Sequence, residues 1–384
     1  MKMGRERKVI AGLIINPIAG MGGRVALKGT DGVVEEAVKR GARPIAEDLT
    51  RLFLHELSHY GESQGIRFMT GPDGLGESVL KDFDFRYDVI RHREVGYREV
   101  MGVKLPDTRA EDTEELARRM KGDVDILVFA GGDGTARDVF KAVGGELPIL
   151  GIPTGVKMFS GIFAASPENA ARLLVEFLLG NARLVERDVM DLDENAFRHD
   201  EVRPRHYGKV LTPYTELLLQ GAKEPTKTDE AEDIEATIEA LADELEDGVY
   251  FLGAGSTIKR LKDMLGIDGT LLGVDIVEVR NGKARLLVRD AAEGDLLRFV
   301  NKRPKVIVTV IGGLNFLFGR GNQQFSAEVL RNIPKENIIV VAAPSKVRDG
   351  FIRVYTGDSE VDEKLRGYIK VRVSPWMERM VKVV

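Results

Sequence analysis

The segment of residues 126–135, ILVFAGGDGT, constrains the fold more than any other part of the chain. An apolar run rich in β-forming residues ends abruptly in two glycines, an aspartate, a third glycine and a threonine. Such a run is typical of a buried parallel strand, and the glycines at its end indicate a tight turn. We therefore predict a strand that leads into a turn, followed by a helix that begins at or just after Thr135.

The residues of this turn are suited to binding an anion. Gly131, Gly132 and Gly134 let backbone N–H groups approach a bulky anion, and the start of a helix adds partial positive charge. Asp133 is expected at the mouth of the sheet, where its carboxylate can contact a metal or accept the proton of a hydroxyl. The alternative interpretation is a glycine-rich turn with a solvated aspartate, since short patterns recur by chance.

The rest of the first half alternates between strand and helix patterns. This alternation predicts a doubly wound parallel sheet, in which ligands bind beyond the carboxyl ends of the strands. From about residue 182 the pattern changes to strands separated by polar turns, which predicts a mostly antiparallel, β-rich second domain with a helical insertion. We place the domains at residues 1–181 and 182–384, and allow for a return of the C-terminus to the first domain.

Two more glycine-rich loops follow predicted strands in the first half, and both are candidates for binding phosphate through the backbone. The candidate residues of the first loop are Asn16, Pro17, Gly20, Gly22, Gly23 and Arg24, with Lys28 as a further cation. Those of the second loop are Thr154, Gly155 and Lys157. Neither loop is a Walker loop or a G-x-G-x-x-G fingerprint, and a flexible loop without a ligand is the alternative for the first.

A fourth glycine turn lies in the second half, where Gly255, Ser256 and Thr257 follow a predicted strand. We expect a helix to begin here with Ser256 or Thr257 as its cap, and ordinary capping competes evenly with a role in binding a nucleotide. Residues 311–315, IGGLN, follow another apolar strand and are expected to line the same cleft.

Four of these segments resemble one superfamily. Residues 131–135 resemble the Gly-Gly-Asp-Gly-Thr signature shared by NAD kinases and the diacylglycerol and sphingosine lipid kinases, in which the aspartate lies at the centre of phosphoryl transfer. Residues 16–20 are similar to the Asn-Pro-x-(Ser/Ala)-Gly opening of that superfamily, and residues 151–155 to its Gly-x-Pro-x-Gly loop. Residues 255–257 resemble the Gly-Ser-Thr element of NAD kinases, which lies against the bound dinucleotide.

Two departures from these patterns concern the substrate. Lipid kinases tend to continue the Gly-x-Pro-x-Gly loop with asparagine, where this chain has Val156 and Lys157. NAD kinases hold the dinucleotide with an Asn-(Asp/Glu) pair, whereas Glu194-Asn195 has the reverse order.

The resemblance implies an NAD kinase-like phosphotransferase that moves phosphate from ATP or another phosphoryl donor to the adenosine ribose 2′-hydroxyl of NAD(H). It also implies Mg²⁺ as a cofactor and assembly into a homo-oligomer. Asp133 would orient or deprotonate the hydroxyl while the loops grip the phosphates. Two alternatives stay open: a kinase of a lipid or another small alcohol, and a non-catalytic nucleotide-binding protein of the same superfamily.

The composition limits which partners and which cellular location are expected for this protein. A net charge of −5 argues against general binding to nucleic acid, and the absence of cysteine gives secretion no support. No segment approaches the roughly 18 consecutive apolar residues that a membrane-spanning helix needs. We therefore expect a cytoplasmic protein without a membrane partner.

The pentapeptide of residues 55–59, HELSH, fits the H-E-x-x-H pattern of zinc proteases. A helix would place His55 and His59 on one face, one turn apart, as a metal requires. No third histidine follows at the spacing of the longer zinc-protease motif. We therefore favour a solvated helix face here over a zinc site.

Overall fold

The computed structural model describes residues 9–27, 30, 32–155, 158–192, 204–215, 228–311 and 315–384. The chain divides into two compact units. The first unit comprises Met1–Met21, Gly29–Glu194 and Val202–Ala222, and the second comprises Gly22–Lys28, Asn195–Glu201 and Lys223–Val384. The short segment Gly22–Lys28 therefore belongs to the second unit, although it lies near the start of the chain.

The strands of the first unit are β1 (Ile10–Ile15), β2 (Arg67–Thr70), β3 (Arg86–Val89), β4 (Tyr97–Val100), β5 (Val103–Pro106), β6 (Ile126–Gly131), β7 (Ile149–Pro153), β8 (Arg183–Leu192) and β9 (Pro204–Tyr214). Its α-helices are α1 (Val34–Lys39), α2 (Ala46–Ser58), α3 (Glu77–Leu80), α4 (Ala110–Met120), α5 (Asp133–Val143) and α6 (Pro167–Leu178). Short 3-10 helices span Gly61–Gly65 and Asp73–Leu75.

A five-stranded parallel sheet in the order β3-β2-β1-β6-β7 forms the centre of the first unit. Along β6, Val128 faces the core that α2 and α6 cover, whereas Leu127 and Phe129 face the core that α4 and α5 cover. Both faces of the sheet are buried, which explains why β6 reads as a continuous apolar run. The predicted doubly wound sheet is confirmed.

The order of the strands reverses between β1 and β6, which are adjacent in the sheet although β2 follows β1 in the chain. In open α/β sheets such a reversal leaves a crevice beyond the carboxyl ends of the two strands, because the connections leave in opposite directions. The loop at residue 16 and the turn at residues 131–135 both begin at this edge.

The antiparallel hairpin of β8 and β9 belongs to the first unit, whereas the sequence analysis placed it in the second domain. Val189 and Val210 of the hairpin are buried in the same core as Val139 of α5. Gly208 lies so close to α5 that a Cβ atom there would be 2.3 Å from Cζ of Phe140. The alternating pattern of the hairpin reveals a buried face, but not which core that face covers.

The strands of the second unit are β10 (Gly248–Leu252), β11 (Asp275–Arg280), β12 (Lys283–Val288), β13 (Lys305–Val308), β14 (Phe316–Phe318), β15 (Ile338–Val341), β16 (Phe351–Val354), β17 (Gly367–Ser374) and β18 (Met377–Val383). Its α-helices are α7 (Thr228–Asp243), α8 (Ser256–Met264), α9 (Glu293–Phe299), α10 (Ala327–Arg331) and α11 (Ser359–Leu365). Short 3-10 helices span Val300–Lys302, Lys335–Asn337 and Pro344–Val347.

These strands form a nine-stranded sheet in the order β12-β11-β10-β13-β15-β17-β18-β16-β14. The strand-rich second half is confirmed, but its sheet is mixed rather than mostly antiparallel. Strands β10, β13, β15 and β17 are parallel neighbours, as are β18, β16 and β14. Antiparallel pairing joins β10 to β11, β11 to β12, and β17 to β18. Parallel neighbours need long crossover connections, and α8 to α11 lie in those connections.

Within the described ranges, no helix combines the length and the apolar character needed to cross a membrane.

Candidate active site

Asn16 connects the loop after β1 to the turn after β6. Its backbone N–H donates to the carbonyl of Ala130 at 2.9 Å, and its side-chain Nδ2 donates to Oγ1 of Thr135 at 3.0 Å. Its Oδ1 accepts a hydrogen bond from the N–H of Ile18 at 3.3 Å, which folds the loop back on itself. The two predicted loops therefore lie side by side at the strand-order reversal.

The loop after β7 is held to the same turn by the backbone of Gly131. The carbonyl of Gly131 accepts hydrogen bonds from the N–H groups of Thr154 (3.1 Å) and Gly155 (3.2 Å). A Cβ atom on Gly131 would lie 2.4 Å from Cβ of Thr135, so a side chain cannot fit without displacing the start of α5. This contact explains the requirement for glycine at the end of β6.

Gly20 brings the loop after β1 against the loop after β7. Its φ of +80° favours glycine, and a Cβ atom there would lie only 1.9 Å from the carbonyl oxygen of Thr154. Thr154 is 3% exposed, and its Oγ1 has no hydrogen-bond partner in the part of the chain that is described. The loops after β1, β6 and β7 therefore converge at one edge of the sheet.

Asp133 is the first residue of α5, and it is only 4% exposed. Its carboxylate accepts hydrogen bonds from the backbone N–H groups of Phe159 at 2.6 Å and Ser160 at 2.9 Å. Ser160 is linked in turn to β8, because its Oγ donates to the carbonyl of Met190 at 2.8 Å. The carboxylate thus lies beneath the segment that follows β7, and not at an open mouth of the sheet as the sequence analysis expected.

Burial sets the protonation behaviour of Asp133. Loss of hydration raises the pKa of its carboxyl from 3.8 to about 7, and the hydrogen bonds from Phe159 and Ser160 oppose this rise only in part. The negative charge of Asp191 makes a smaller contribution to this rise in pKa. Arg137 pairs with Asp191 at 2.5 Å and with Asp138 at 3.0 Å. Near neutral pH, Asp133 can therefore exchange a proton.

The other predicted residues of the first-half loops fall into three groups. Pro17 is buried beside Asn16, Gly132 is the N-cap of α5, and Gly134 is the second residue of that helix. Gly22, Gly23 and Arg24 lie in the second unit, where the carbonyl of Arg24 accepts a hydrogen bond from the N–H of Glu293 at 2.9 Å. Lys28 and Lys157 lie outside the described residues.

In the second unit, β10 runs into a turn and then into α8, as predicted. Gly255 has a φ of +111° and donates its N–H to the carbonyl of Leu271 at 2.7 Å. The prediction that Ser256 or Thr257 caps the helix is wrong. Gly255 holds the N-cap position without a side-chain bond, Ser256 is the first helical residue and is exposed, and Thr257 is buried. Residues 312–314 of the IGGLN segment lie outside the described residues.

A buried ion pair supports this turn, and the sequence analysis did not identify it. Lys262 of α8 and Asp275 of β11 are both 0% exposed, and Nζ lies 2.7 Å from Oδ2. Lys262 also donates to the carbonyls of Thr270 and Gly273, while Asp275 accepts from the N–H of Thr270. The sequence does contain a signal for the burial of Lys262. This residue lies four positions after the buried Ile258 and therefore shares its helix face.

The H-E-x-x-H segment forms the C-terminal end of α2, with His59 as the C-cap, and both of its histidines are exposed. The ring centroids of His55 and His59 are 4.6 Å apart, and both side chains are exposed. Glu56 accepts hydrogen bonds from Tyr60 and Arg172 at 3.0 Å each. Among the residues that the structure describes, no group of three or more His, Asp or Glu side chains is placed to hold a metal ion.

Comparison with known proteins covers both halves of the chain. Residues 11–182 match the model of the ATP-NAD kinase N-terminal domain, and residues 245–383 match that of the ATP-NAD kinase C-terminal domain. The chain belongs to the ATP-NAD kinase family.

Among solved structures, the similarity to this member of the ATP-NAD kinase family is weak. A candidate diacylglycerol kinase from Bacillus anthracis strain Sterne is 11% identical, with a TM-score of 0.24 over 63% of this chain. The match spans 59% of the length of the Bacillus chain. A conserved domain protein from Vibrio cholerae O1 biovar El Tor is 13% identical, with a TM-score of 0.26 over 90% of this chain and 77% of its own. No curated protein matches the chain.

Proposed function

We propose that this protein is an NAD kinase-like phosphotransferase, which transfers phosphate from ATP or another phosphoryl donor to the adenosine ribose 2′-hydroxyl of NAD(H). One observation carries the proposal. Asp133 lies at the start of α5, where the loops after β1, β6 and β7 converge in the first unit. The match of both halves to the ATP-NAD kinase family supports the proposal.

The converging loops supply the groups that phosphoryl transfer requires. The first turn of α5, with Gly132 and Gly134, offers backbone N–H groups and the positive end of the helix dipole to a phosphate. The buried Oγ1 of Thr154 is a further donor at the same edge of the sheet. Asn16 and Thr135 hold the two loops in register through their hydrogen bond. These groups would position the phosphates before the reaction starts.

Asp133 is the proposed base. Each carboxylate oxygen has two lone pairs, and the N–H groups of Phe159 and Ser160 use one on each oxygen. A ribose hydroxyl can donate to a remaining lone pair. Its oxygen forms a bond to the γ-phosphorus of the donor, the bond from this phosphorus to the bridging oxygen breaks, and the hydroxyl proton passes to Asp133. A pKa of about 7 suits a group that takes up a proton near neutral pH.

Other predicted residues enter the proposal through the family resemblance alone. We assign Gly255, Ser256 and Thr257 to the dinucleotide, and Gly22, Gly23, Arg24 and Lys157 to phosphate groups. Among the described residues, no group of three or more His, Asp or Glu side chains is placed to hold a metal ion. We assign magnesium, on the resemblance, to the phosphates of the nucleotide substrate, because Mg²⁺ is commonly bound by substrate phosphates with only one or two carboxylates. We also propose, on the resemblance, a cytoplasmic homo-oligomer, which light scattering coupled to gel filtration would test.

The test is a direct assay of phosphoryl transfer. The protein is incubated with Mg²⁺ and either ATP or polyphosphate, in the presence of NAD, NADH or diacylglycerol, and products are identified by mass spectrometry. We expect NADP or NADPH to accumulate with wild-type protein. Asp133→Asn should lower kcat by about 100-fold or more while nucleotide binding persists. Asp123→Asn is the matched control, because Asp123 is exposed beyond the opposite end of β6.

Each rival function gives a different result in this assay. Phosphorylated diacylglycerol without NADP would establish a lipid kinase and overturn the choice of acceptor. Nucleotide binding without any phosphorylated product, from either donor, would overturn catalysis and leave a binding protein. Full activity in Asp133→Asn would remove Asp133 from the reaction.

A further inference from the structure

The segment between β7 and α6 connects Asp133 to the hairpin of β8 and β9. Phe159 and Ser160 donate their backbone N–H groups to the carboxylate of Asp133, at 2.6 Å and 2.9 Å. The next amide, that of Gly161, donates to the carbonyl of Asp188 in β8 at 3.1 Å. Three successive amides therefore tie this segment to the carboxylate on one side and to the edge of β8 on the other.

The side chain of Ser160 is bonded to the same strand. Its Oγ donates to the carbonyl of Met190 at 2.8 Å and accepts from the N–H of Met190 at 3.0 Å. Ser160 is 0% exposed, so water does not compete for these bonds. Burial raises the pKa of the Asp133 carboxyl, and a hydrogen bond from the Ser160 side chain is among the contacts that lower it. Ser160 therefore contacts the proposed base through both its amide and its hydroxyl.

The hydroxyl of Ser160 has one proton for two acceptors. A hydroxyl carries one donor and two lone pairs, and the N–H of Met190 occupies one of those lone pairs. When Asp133 is ionised, its carboxylate and the carbonyl of Met190 compete for the single proton. A hydrogen bond to an ionised group is roughly twice as strong as one between neutral groups, so the carboxylate takes the proton. When Asp133 is protonated this advantage is lost, and the hydroxyl can donate to the carbonyl of Met190.

We propose that Ser160 is a positioning residue for Asp133, and that its hydroxyl turns from Met190 to Asp133 when the carboxyl ionises. The amides of Phe159 and Ser160 fix the carboxylate for the attacking hydroxyl, while the turning side chain stabilises the ionised form that accepts the proton. No covalent bond forms or breaks at Ser160 during the reaction. The inference rests on the proposed function in one respect, since it takes Asp133 as the base of phosphoryl transfer.

Charged groups near Asp133 also act on its carboxyl. Burial is the main cause of the raised pKa of Asp133, and the negative charge of Asp191 in β8 adds a smaller rise. Arg137 of α5 pairs with Asp191 and Asp138, and Tyr207 of β9 acts in turn on the charge of Arg137. All of these groups remain in a variant that lacks only the serine hydroxyl. A comparison of that variant with wild-type protein therefore isolates the hydroxyl.

The first experiment observes the turn of the hydroxyl in wild-type protein. Met190-Asp191 is the only Met-Asp pair in the sequence, so ¹³C at the methionine carbonyls and ¹⁵N at the aspartate amides together isolate one NMR signal. As the pH rises through about 7, the carbonyl of Met190 should lose its donor, and its ¹³C resonance should titrate together with Asp133. Asp133→Asn is the control and should abolish this titration. A Met190 signal that titrates in the same way in Asp133→Asn, or not at all in wild type, would overturn the proposal.

The second experiment measures the pKa of Asp133 in the absence of substrate. Aspartate labelled with ¹³C at the side-chain carboxyl is titrated in wild type and in Ser160→Ala, and the signal of Asp133 is assigned by its loss in Asp133→Asn. Removal of one hydrogen bond to the ionised form should raise the pKa from about 7 to about 8. Ser166→Ala is the matched control, because its hydroxyl accepts from the N–H of Asn169 at the start of α6, and the pKa should stay near 7. Thermal unfolding verifies that each variant is folded, and an unchanged pKa in Ser160→Ala would contradict the proposal.

Kinetics connect this contact to the reaction. A pKa of about 8 leaves roughly a fifth as much ionised Asp133 at pH 7, so kcat of Ser160→Ala should fall about fivefold there and recover near pH 9. KM should change little, since Ser160 is buried and acts through Asp133. A fall in kcat of the same size at every pH would indicate a purely structural role and overturn the proposed turn of the hydroxyl. Both NMR titrations are made without substrate, so they decide this proposal even for a protein that phosphorylates neither NAD nor NADH.

Discussion

Asn16 and Thr135 are 119 positions apart in the sequence, yet their side chains form a hydrogen bond of 3.0 Å. The bond joins the loop after β1 to the first turn of α5, at the point where the strand order of the sheet reverses. Because Asp133 lies two residues before Thr135, this bond also helps to fix the carboxylate proposed to act in phosphoryl transfer. The geometry of the site therefore depends on a contact between distant parts of the chain.

The Asn16–Thr135 bond should be measurable as a coupling energy. We expect Asn16→Ala and Thr135→Val each to lower the free energy of unfolding by about 1 kcal/mol, the usual net value of one hydrogen bond. The double variant should lose less than the sum of the two, since each single change already breaks the bond. Urea unfolding of the wild type, the two single variants and the double variant gives the four free energies of this double-mutant cycle. Strict additivity would show that the bond contributes no stability.

Gly131→Ala should destabilise the first unit by about 1–3 kcal/mol, because the added Cβ would lie 2.4 Å from Cβ of Thr135. Thermal and urea unfolding measure the loss. Gly96→Ala is the matched control, since a Cβ there meets no atom within 4 Å. Equal unfolding curves for the two variants would contradict the close contact at the end of β6.

Asp133 should make stability depend on pH between about 4 and 7. Its pKa is about 7 in the folded protein and near 3.8 when unfolded, so the folded state binds more protons within this window. The protonated carboxyl of Asp133 makes its full contribution to the free energy of unfolding below about pH 4. This contribution is lost as the pH rises through 7. The slope reaches about 1.4 kcal/mol per pH unit for one proton.

The contribution of Asp133 to this pH dependence is obtained by comparing wild-type protein with two variants. Free energies of unfolding are measured from pH 4.5 to 7.5 for wild type, Asp133→Asn and the exposed control Asp123→Asn. Asp133→Asn should flatten the fall in stability, because an amide does not titrate, whereas Asp123→Asn should leave it unchanged. Parallel curves for all three proteins would show that Asp133 titrates at its ordinary pKa.

Lys262→Met should cost about 3–5 kcal/mol, because it leaves the buried carboxylate of Asp275 without its cation. Adding Asp275→Asn should recover part of this loss, since the amide needs no counter-charge. Lys259→Met on the same helix is the control: Lys259 pairs with Asp263 at the surface, so the change should cost under about 1 kcal/mol. Similar losses for Lys262→Met and Lys259→Met would contradict a fully buried pair.

The sequence predicted the central sheet and its loops because local signals there agree with the fold. The strand β6 is buried on both faces, so its apolar run is unbroken, and Gly131 marks the position where Thr135 leaves no room for a side chain. The convergence of the loops followed from the parallel strands. The burial of Asp133 could not be predicted, because it depends on hydrogen bonds from Phe159 and Ser160, which come from a later part of the chain.

The second half was predicted less completely, for physical reasons. Alternation within a strand indicates a buried face but not the direction of the neighbouring strand, so the parallel pairing of β10, β13 and β15 was missed. The cap of α8 was misplaced because serine and threonine are good caps, whereas the φ of +111° at Gly255 decided the position. Lys262 was overlooked because its partner, Asp275, lies on another element.

The assignment of Gly22–Lys28 to the second unit means that the two halves of this molecule cannot be separated by one cut. A fragment beginning at residue 223 would lack the carbonyl of Arg24, to which Glu293 donates, and with it a piece of its own structure. The second unit is therefore complete only with a segment that lies far from the rest of it in the sequence.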